Sequence, residues 1–266
     1  MLKFLWRFLL LVGGLVACWL GFSKVDWVGS LGLRRTGSAI ERKVGDVVWG
    51  FVERTERVER SRDLVVPVDA LVRHLCRSAN LTRCPLRIAI IRNRDVNAFA
   101  LPGQRILITT GLLREVQTEA ELAGVLAHEL SHVEAGHAMQ ALINEFGLAV
   151  LQGLAGGGAA GTLSDVVTTL SSSAHSQSVE ADADRQAVDY LVAARVDPSA
   201  LADLLSRLSS TSEFGIGIPW LTSHPDNEDR AQAILERAES RRVLPRRVLP
   251  QSTWEALKAA VDQNGW

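Results

Sequence analysis

Residues 128–132 read His-Glu-Leu-Ser-His, two imidazoles four positions apart with a carboxylate directly after the first. On an α-helix a step of four residues turns the side chain by about 40° and climbs about 6 Å, so both rings project from one face and can converge on one ion. Neutral imidazoles leave a zinc ion strongly Lewis acidic, and a carboxylate beside the first ligand is placed to take a proton from water. The chemistry these residue types point to is hydrolysis, with His128 and His132 as metal ligands and Glu129 as the base.

Two histidines need a third ligand. The extended motif with a third histidine requires glycine at 135 and histidine at 138, where this chain has Ala135 and Ala138, so that class is excluded. His137, five residues past His132, points about 140° away if the helix continues, and reads as a surface or core histidine. A carboxylate remains. The segment SSSAHSQSVEADADRQAVDYLVAA has a helical pattern in which Glu180 and Asp184 share a face. Glu180 can complete a His2Glu set for one zinc per chain, and Asp184, one turn on, can accept the free ring N–H of a ligand histidine. His175 lies ahead of that helix and reads as an exposed polar residue.

Something must position these groups. Thr118-Glu119-Ala120-Glu121 is a capping box, which starts the HELSH helix near Glu119. Upstream, Leu86–Ile91, Asn97–Leu101 and Arg105–Thr109 read as three strands, the last two joined as a hairpin by Pro102-Gly103. Residues 34–62 are dense in charge, with Val44, Val47, Val48, Phe51, Val52 and Val58 at near-helical intervals, which predicts an amphipathic spacer helix. Glycines at 153, 156, 157, 158 and 161 lie too close together for a membrane-spanning helix and predict a loop or helical hairpin over the cleft. The repeated RRVLP at 241–250 predicts an extended strap leading into a short terminal helix.

Composition sets the frame. The chain has 266 residues, 47% hydrophobic and 22% charged, with a net charge of −1, enough for one full-sized domain with extensions. So little net charge provides no field to hold a polyanion, which argues against a nucleic-acid partner. At the N-terminus, Lys3 and Arg7 precede an uncharged stretch from Phe8 to Phe22, read as an export signal or a short membrane anchor. Within it Leu15-Val16-Ala17-Cys18 has the form of a lipobox, which would lipidate Cys18 and hold the protein at a bacterial membrane, facing the periplasm. Cys76 and Cys84 are then an even pair in an oxidising compartment, suited to a disulfide, with two buried thiols as the alternative.

HELSH, the Glu180/Asp184 pair and Asn97-Ala98-Phe99-Ala100-Leu101-Pro102-Gly103, in that combination, resemble the gluzincin metallopeptidases of the HtpX, CaaX prenyl protease and Oma type, nearest the periplasmic BepA and LoiP lipoprotein branch. The similarity runs over roughly residues 60 to 240, and the tail LPQSTWEALKAA resembles the tryptophan-containing end of the lipoprotein members. Gln104, where the family repeats glycine, and Gln177, where it places arginine, are departures. The resemblance implies an α+β, mainly helical zincin fold with a small three-stranded sheet. Together with the segments read from the residues, the resemblance divides the chain into a signal or anchor (1–22), the spacer (23–62), a zinc metallopeptidase domain (63–240) and a C-terminal strap with a short helix (241–266). It makes Asn97 to Gly103 an exposed active-site edge strand on which an extended substrate could add itself, though Phe99 fits a core position equally well. It also implies that His224 approaches the metal or the substrate, either donating to the oxyanion or serving as a fourth ligand. The implied activity is a zinc endopeptidase acting on extended or misfolded envelope proteins. The alternatives are a chaperone-like protein using the same groove without turnover, and a structural zinc site, which would close all four positions with protein ligands.

Overall fold

The computed structural model describes residues 33–263 apart from 86, 159, 173, 213–216, 226–227 and 242–243. The signal or anchor and Cys18 therefore lie outside the described residues. The chain divides into two units, 1–40 and 41–266. Of the first, only the opening turns of a helix are described.

The elements run α1 (Leu33–Thr55), β1 (Val58–Glu59), α2 (Arg62–Ser78), β2 (Arg87–Ile91), β3 (Ala98–Leu101), β4 (Arg105–Thr109), α3 (Thr110–Glu115), α4 (Glu119–Ala135), α5 (His137–Ala155), α6 (Leu163–Ser172), α7 (Gln177–Ala194), α8 (Ser199–Ser212), α9 (Pro219–Ser223), α10 (Glu228–Ser240) and α11 (Gln251–Gln263). The molecule is mostly helical with one small sheet. That sheet has four strands, not the three expected: β1 adds to the outer edge of β2, in the order β1-β2-β4-β3. The spacer helix accordingly ends at Thr55, short of Val58, which pairs with Ile91. Glu59 is what redirects the chain there. Its carboxylate accepts from the backbone N–H of Arg60 and Ser61 at 2.8 Å each and pairs with Arg92, the residue just past β2.

β2 and β4 run parallel, with Ile88 opposite Ile106 and Ile90 opposite Ile108, while β3 and β4 form the expected antiparallel hairpin, Ala98 opposite Ile108 and Leu101 opposite Arg105. β3 is an edge strand by pairing, but it is not exposed. All four of its residues are buried, because Ala-Phe-Ala-Leu is apolar on both faces and α4, α5 and α6 pack on it. The glycine-rich region forms a helical hairpin, α5 and α6, and among the described residues no helix is long and apolar enough to cross a membrane.

α4 is the central helix. Leu122, Ala123, Val125, Leu126, Ala127, Leu130 and Val133 leave it without a polar face, so it buries itself between α2, α7, α8 and β3. Thr118 caps its start, accepting from Glu121 N–H at 3.1 Å, while the Glu121 carboxylate accepts from Gln117 N–H at 2.7 Å. Gly136 ends it in the left-handed region, φ 76°, as helix C-caps commonly do. The far end is tied down from outside: Glu134 accepts from the backbone of Thr82 and Arg83, in the loop that the Cys76–Cys84 disulfide closes with Cα atoms 5.7 Å apart. Arg83 also pairs with Glu41, which accepts from Gly103 N–H at 3.2 Å.

The C-terminal strap and α11 pack on the same body. Glu119, in the first turn of α4, accepts from Val248 and Leu249 N–H at 3.0 and 3.1 Å, and Lys258 donates to the carbonyls of Leu113, Arg114 and Val116. Trp254, Leu257 and Val261 are buried.

Candidate metal centre

α4 and α7 lie side by side, so the polar residues that interrupt their apolar faces meet. His128, His132, Glu180 and His224 each offer a ligand atom, and these atoms all lie within 4.8 Å of one another. His128 Nε2 stands 3.0 Å from His132 Nε2, 3.2 Å from Glu180 Oε2 and 3.2 Å from His224 Nδ1. His224, which follows α9, brings Nδ1 to 3.1 Å from Glu180 Oε1. Three imidazoles and a carboxylate, all at most 2% exposed, aim their lone pairs at one small volume, and that donor set suits zinc.

The groups behind the ligands fit as well. His128 Nδ1 lies 2.9 Å from Asp184 Oδ1, the partner expected from spacing. Asp184 is in turn held by Arg230, Nε to Oδ2 at 2.8 Å and Nη2 to Oδ1 at 2.9 Å. Burial alone depresses the His128 imidazole, yet the Glu180 and Asp184 carboxylates overcome it and push it up to about 10. A field that binds a proton so firmly also favours a cation in its place. Glu180, despite burial, is held well below the usual carboxylate range by His128 and His224. His132 moves the other way, driven well below its ordinary value by burial and by the neighbouring His128 and His224.

Glu129 sits on the open side of the cluster. Its Oε1 accepts from Trp220 Nε1 at 3.3 Å and lies 3.5 Å from His224 Nε2, whereas its buried Oε2 has no hydrogen-bond partner among the described residues. Desolvation raises its pKa, which is the condition of a carboxylate prepared to accept a proton. Glu129, His132 and His224 line a cavity together with Phe99, Ala100, Leu170 and His175. From the expected edge strand, Phe99 and Ala100 thus reach the site, while Asn97 is tied to α6 through Ser171 O at 3.3 Å. Pro102 and Gly103 turn at the far end, where Arg105 donates to both carbonyls.

Two histidines that spacing sets aside are here too. His137 brings its Nδ1 to 2.7 Å from His132 Nδ1, and His175 stacks on the His132 ring, centroids 4.5 Å apart and planes 22° apart. His137 would point away only if α4 continued; Gly136 breaks the helix, so His137 starts a new one in a new direction. His175 is half-buried rather than exposed, and burial next to His224 lowers it to about 4. Arg230 and Trp220 carry no sequence signal, since no spacing rule connects them to α4 or α7.

Comparison with known proteins agrees with this geometry. Peptidase family M48 matches residues 66–238. The beta-barrel assembly-enhancing protease of Yersinia pestis is 30% identical over 194 residues, 67% of this chain and 40% of its own. Its Escherichia coli counterpart is 29% identical over 199 residues, 66% and 39%. Metalloprotease LoiP of Escherichia coli is 30% identical over 165 residues, 59% and 65%. The chain thus spans less than two thirds of the length of each.

Proposed function

Since the chain belongs to peptidase family M48, we propose that it is a zinc-dependent endopeptidase of the bacterial envelope, acting on extended or misassembled envelope proteins. The observation that carries the reading is the pairing of a closed donor set with a buried carboxylate, Glu129, whose Oε2 is left without a protein partner among the described residues. His128, His132 and Glu180 would hold the ion, with Asp184 fixing the tautomer of His128 so that Nε2 keeps its lone pair. Bound zinc supplies Lewis acidity toward a peptide carbonyl and toward water.

The chain's own work is proton transfer and orientation. Glu129 Oε2 takes a proton from the attacking water and returns it to the leaving amine. Trp220 Nε1–H, on Oε1, keeps the second oxygen free for that task. An extended substrate would lie along β3 and reach the cavity through Phe99 and Ala100. Because α6 covers β3, the α5–α6 hairpin must shift for a strand to be added there.

The distances from His224 Nδ1 to His128 Nε2 and Glu180 Oε1, 3.2 and 3.1 Å, support the ligand role over the oxyanion role. Four protein ligands also meet the criterion for a structural site, but a structural site has no use for a buried carboxylate oxygen, Glu129 Oε2, left without a hydrogen-bond partner among the described residues. We assign His224 as a displaceable ligand. His224→Ala is expected to raise peptide turnover while lowering zinc affinity; lower turnover with unchanged zinc would return it to the oxyanion role.

The central experiment compares wild type with Glu129→Gln on casein and on an unfolded outer-membrane protein, with products identified by mass spectrometry. Glu129→Gln should keep one zinc per chain and lose activity by about 10²–10⁴-fold, while His132→Ala and Glu180→Ala lose zinc as well. A wild-type protein that holds zinc and binds unfolded β-barrel protein yet never cleaves it would establish the chaperone-like alternative. The envelope attachment is tested by acyl labelling: wild type should carry lipid on Cys18 and Cys18→Ser none, whereas a mature chain starting at Met1 without lipid would identify an anchor.

A further inference from the structure

We propose that His137 is the positioning residue for His132: its Nδ1 accepts the proton on His132 Nδ1 and so aims the His132 Nε2 lone pair at the metal cluster. This rests on the reading of that cluster as a zinc site. The two Nδ1 atoms are 2.7 Å apart, a distance that admits one proton between two nitrogens. His132 Nε2 faces the cluster, 3.0 Å from His128 Nε2 and 3.5 Å from Glu180 Oε1. A neutral imidazole has one N–H. If Nε2 offers a lone pair inward, the proton of His132 is on Nδ1, and His137 must take the tautomer with its own proton on Nε2.

The two ligand histidines of α4 are thus oriented by different chemistry. His128 leans on Asp184, an anionic acceptor that raises the basicity of the ring. His132 leans on a neutral imidazole, a weaker acceptor that fixes direction without adding charge. The outcome is one electron-rich ligand and one that donates less to the ion. Placement of His137 depends on Gly136, whose left-handed φ of 76° ends α4 directly after the last ligand turn and starts α5 with His137 facing back. The stacked ring of His175 closes one face of His132 and blocks tilting toward that side, while the hydrogen bond to His137 sets the rotation within the ring plane.

The test measures zinc affinity by competition with a chromophoric chelator and records the visible spectrum of the cobalt-substituted protein, using the full chain. The substitution His137→Asn keeps an acceptor, its amide oxygen, near the place of Nδ1, whereas His137→Leu removes it. His137→Leu should weaken zinc binding by about 10- to 100-fold and alter the cobalt spectrum, with His137→Asn remaining within about threefold of wild type. The unfolding midpoint of the metal-free proteins reports any purely structural effect. Wild-type zinc affinity in His137→Leu, or an equal loss in His137→Asn, would overturn the assignment. A wild-type protein that binds no zinc would instead overturn the metal-site reading beneath it.

Discussion

Arg230 joins the two halves of the centre through one guanidinium. Two of its nitrogens hold Asp184, which orients His128, and Nη1 donates to the carbonyls of His224 and Pro225 at 3.0 and 3.1 Å. Removing it strands a buried carboxylate, so Arg230→Met should cost about 3–5 kcal/mol, read as the urea midpoint, and should lower zinc content. Arg230→Lys should not restore either, because an ammonium cannot reproduce a fork that bonds both carboxylate oxygens and two carbonyls. Recovery of wild-type stability in the lysine variant would show that charge alone suffices. His128, Glu129, His132, Glu180 and Asp184 are readable in the sequence because each partnership is a four-residue step on one helix or the completion of a known donor set. Arg230 lies 46 residues from Asp184, and nothing local marks it. His137 is legible as a histidine near the ligands but falls on the wrong face by helical counting, because one left-handed glycine resets the direction of every residue after it.

At the scale of elements, local signals with a steric or hydrogen-bonding cause are readable: the Thr118 cap, the Pro102-Gly103 turn, and the change from strand to helix between Thr109 and Glu119. The two-residue β1 and the covered face of β3 are not, since both depend on what packs nearby. The hairpin turn carries a testable strain. Gly103 and Gln104 both have positive φ, 74° and 61°, and a side chain at that conformation costs about 1 kcal/mol. Gln104→Gly should therefore stabilise the protein by up to about 1 kcal/mol in equilibrium urea unfolding; a loss of stability would mean that the Gln104 side chain makes a compensating contact. The Cys76–Cys84 loop offers a second measurement. Its Thr82 and Arg83 hold Glu134 at the end of the metal helix, so Cys84→Ala should lower stability by about 2–3 kcal/mol and make wild type and variant alike under reducing conditions. A variant as stable as the oxidised wild type would remove the disulfide from the account.

For the molecule as a whole, the strap and α11 close the start of α4. Deleting residues 241–266 would leave the Glu119 carboxylate and the carbonyls at the end of α3 without these partners and would expose the surface under Trp254, Leu257 and Val261. The shortened protein is expected to lose cooperative thermal unfolding in circular dichroism and calorimetry; a retained sharp transition would show that the tail is dispensable. This clamp also has a bearing on time. Glu119 and Leu249 are 130 residues apart, and a ribosome adding about 5–20 residues per second reaches the second on the order of 10 s after the first. Throughout that interval the HELSH helix exists without the tail that secures its first turn, and for most of it without His224 and Arg230. The metal centre therefore cannot be completed before His224 and Arg230 have been made, however early the HELSH helix itself emerges.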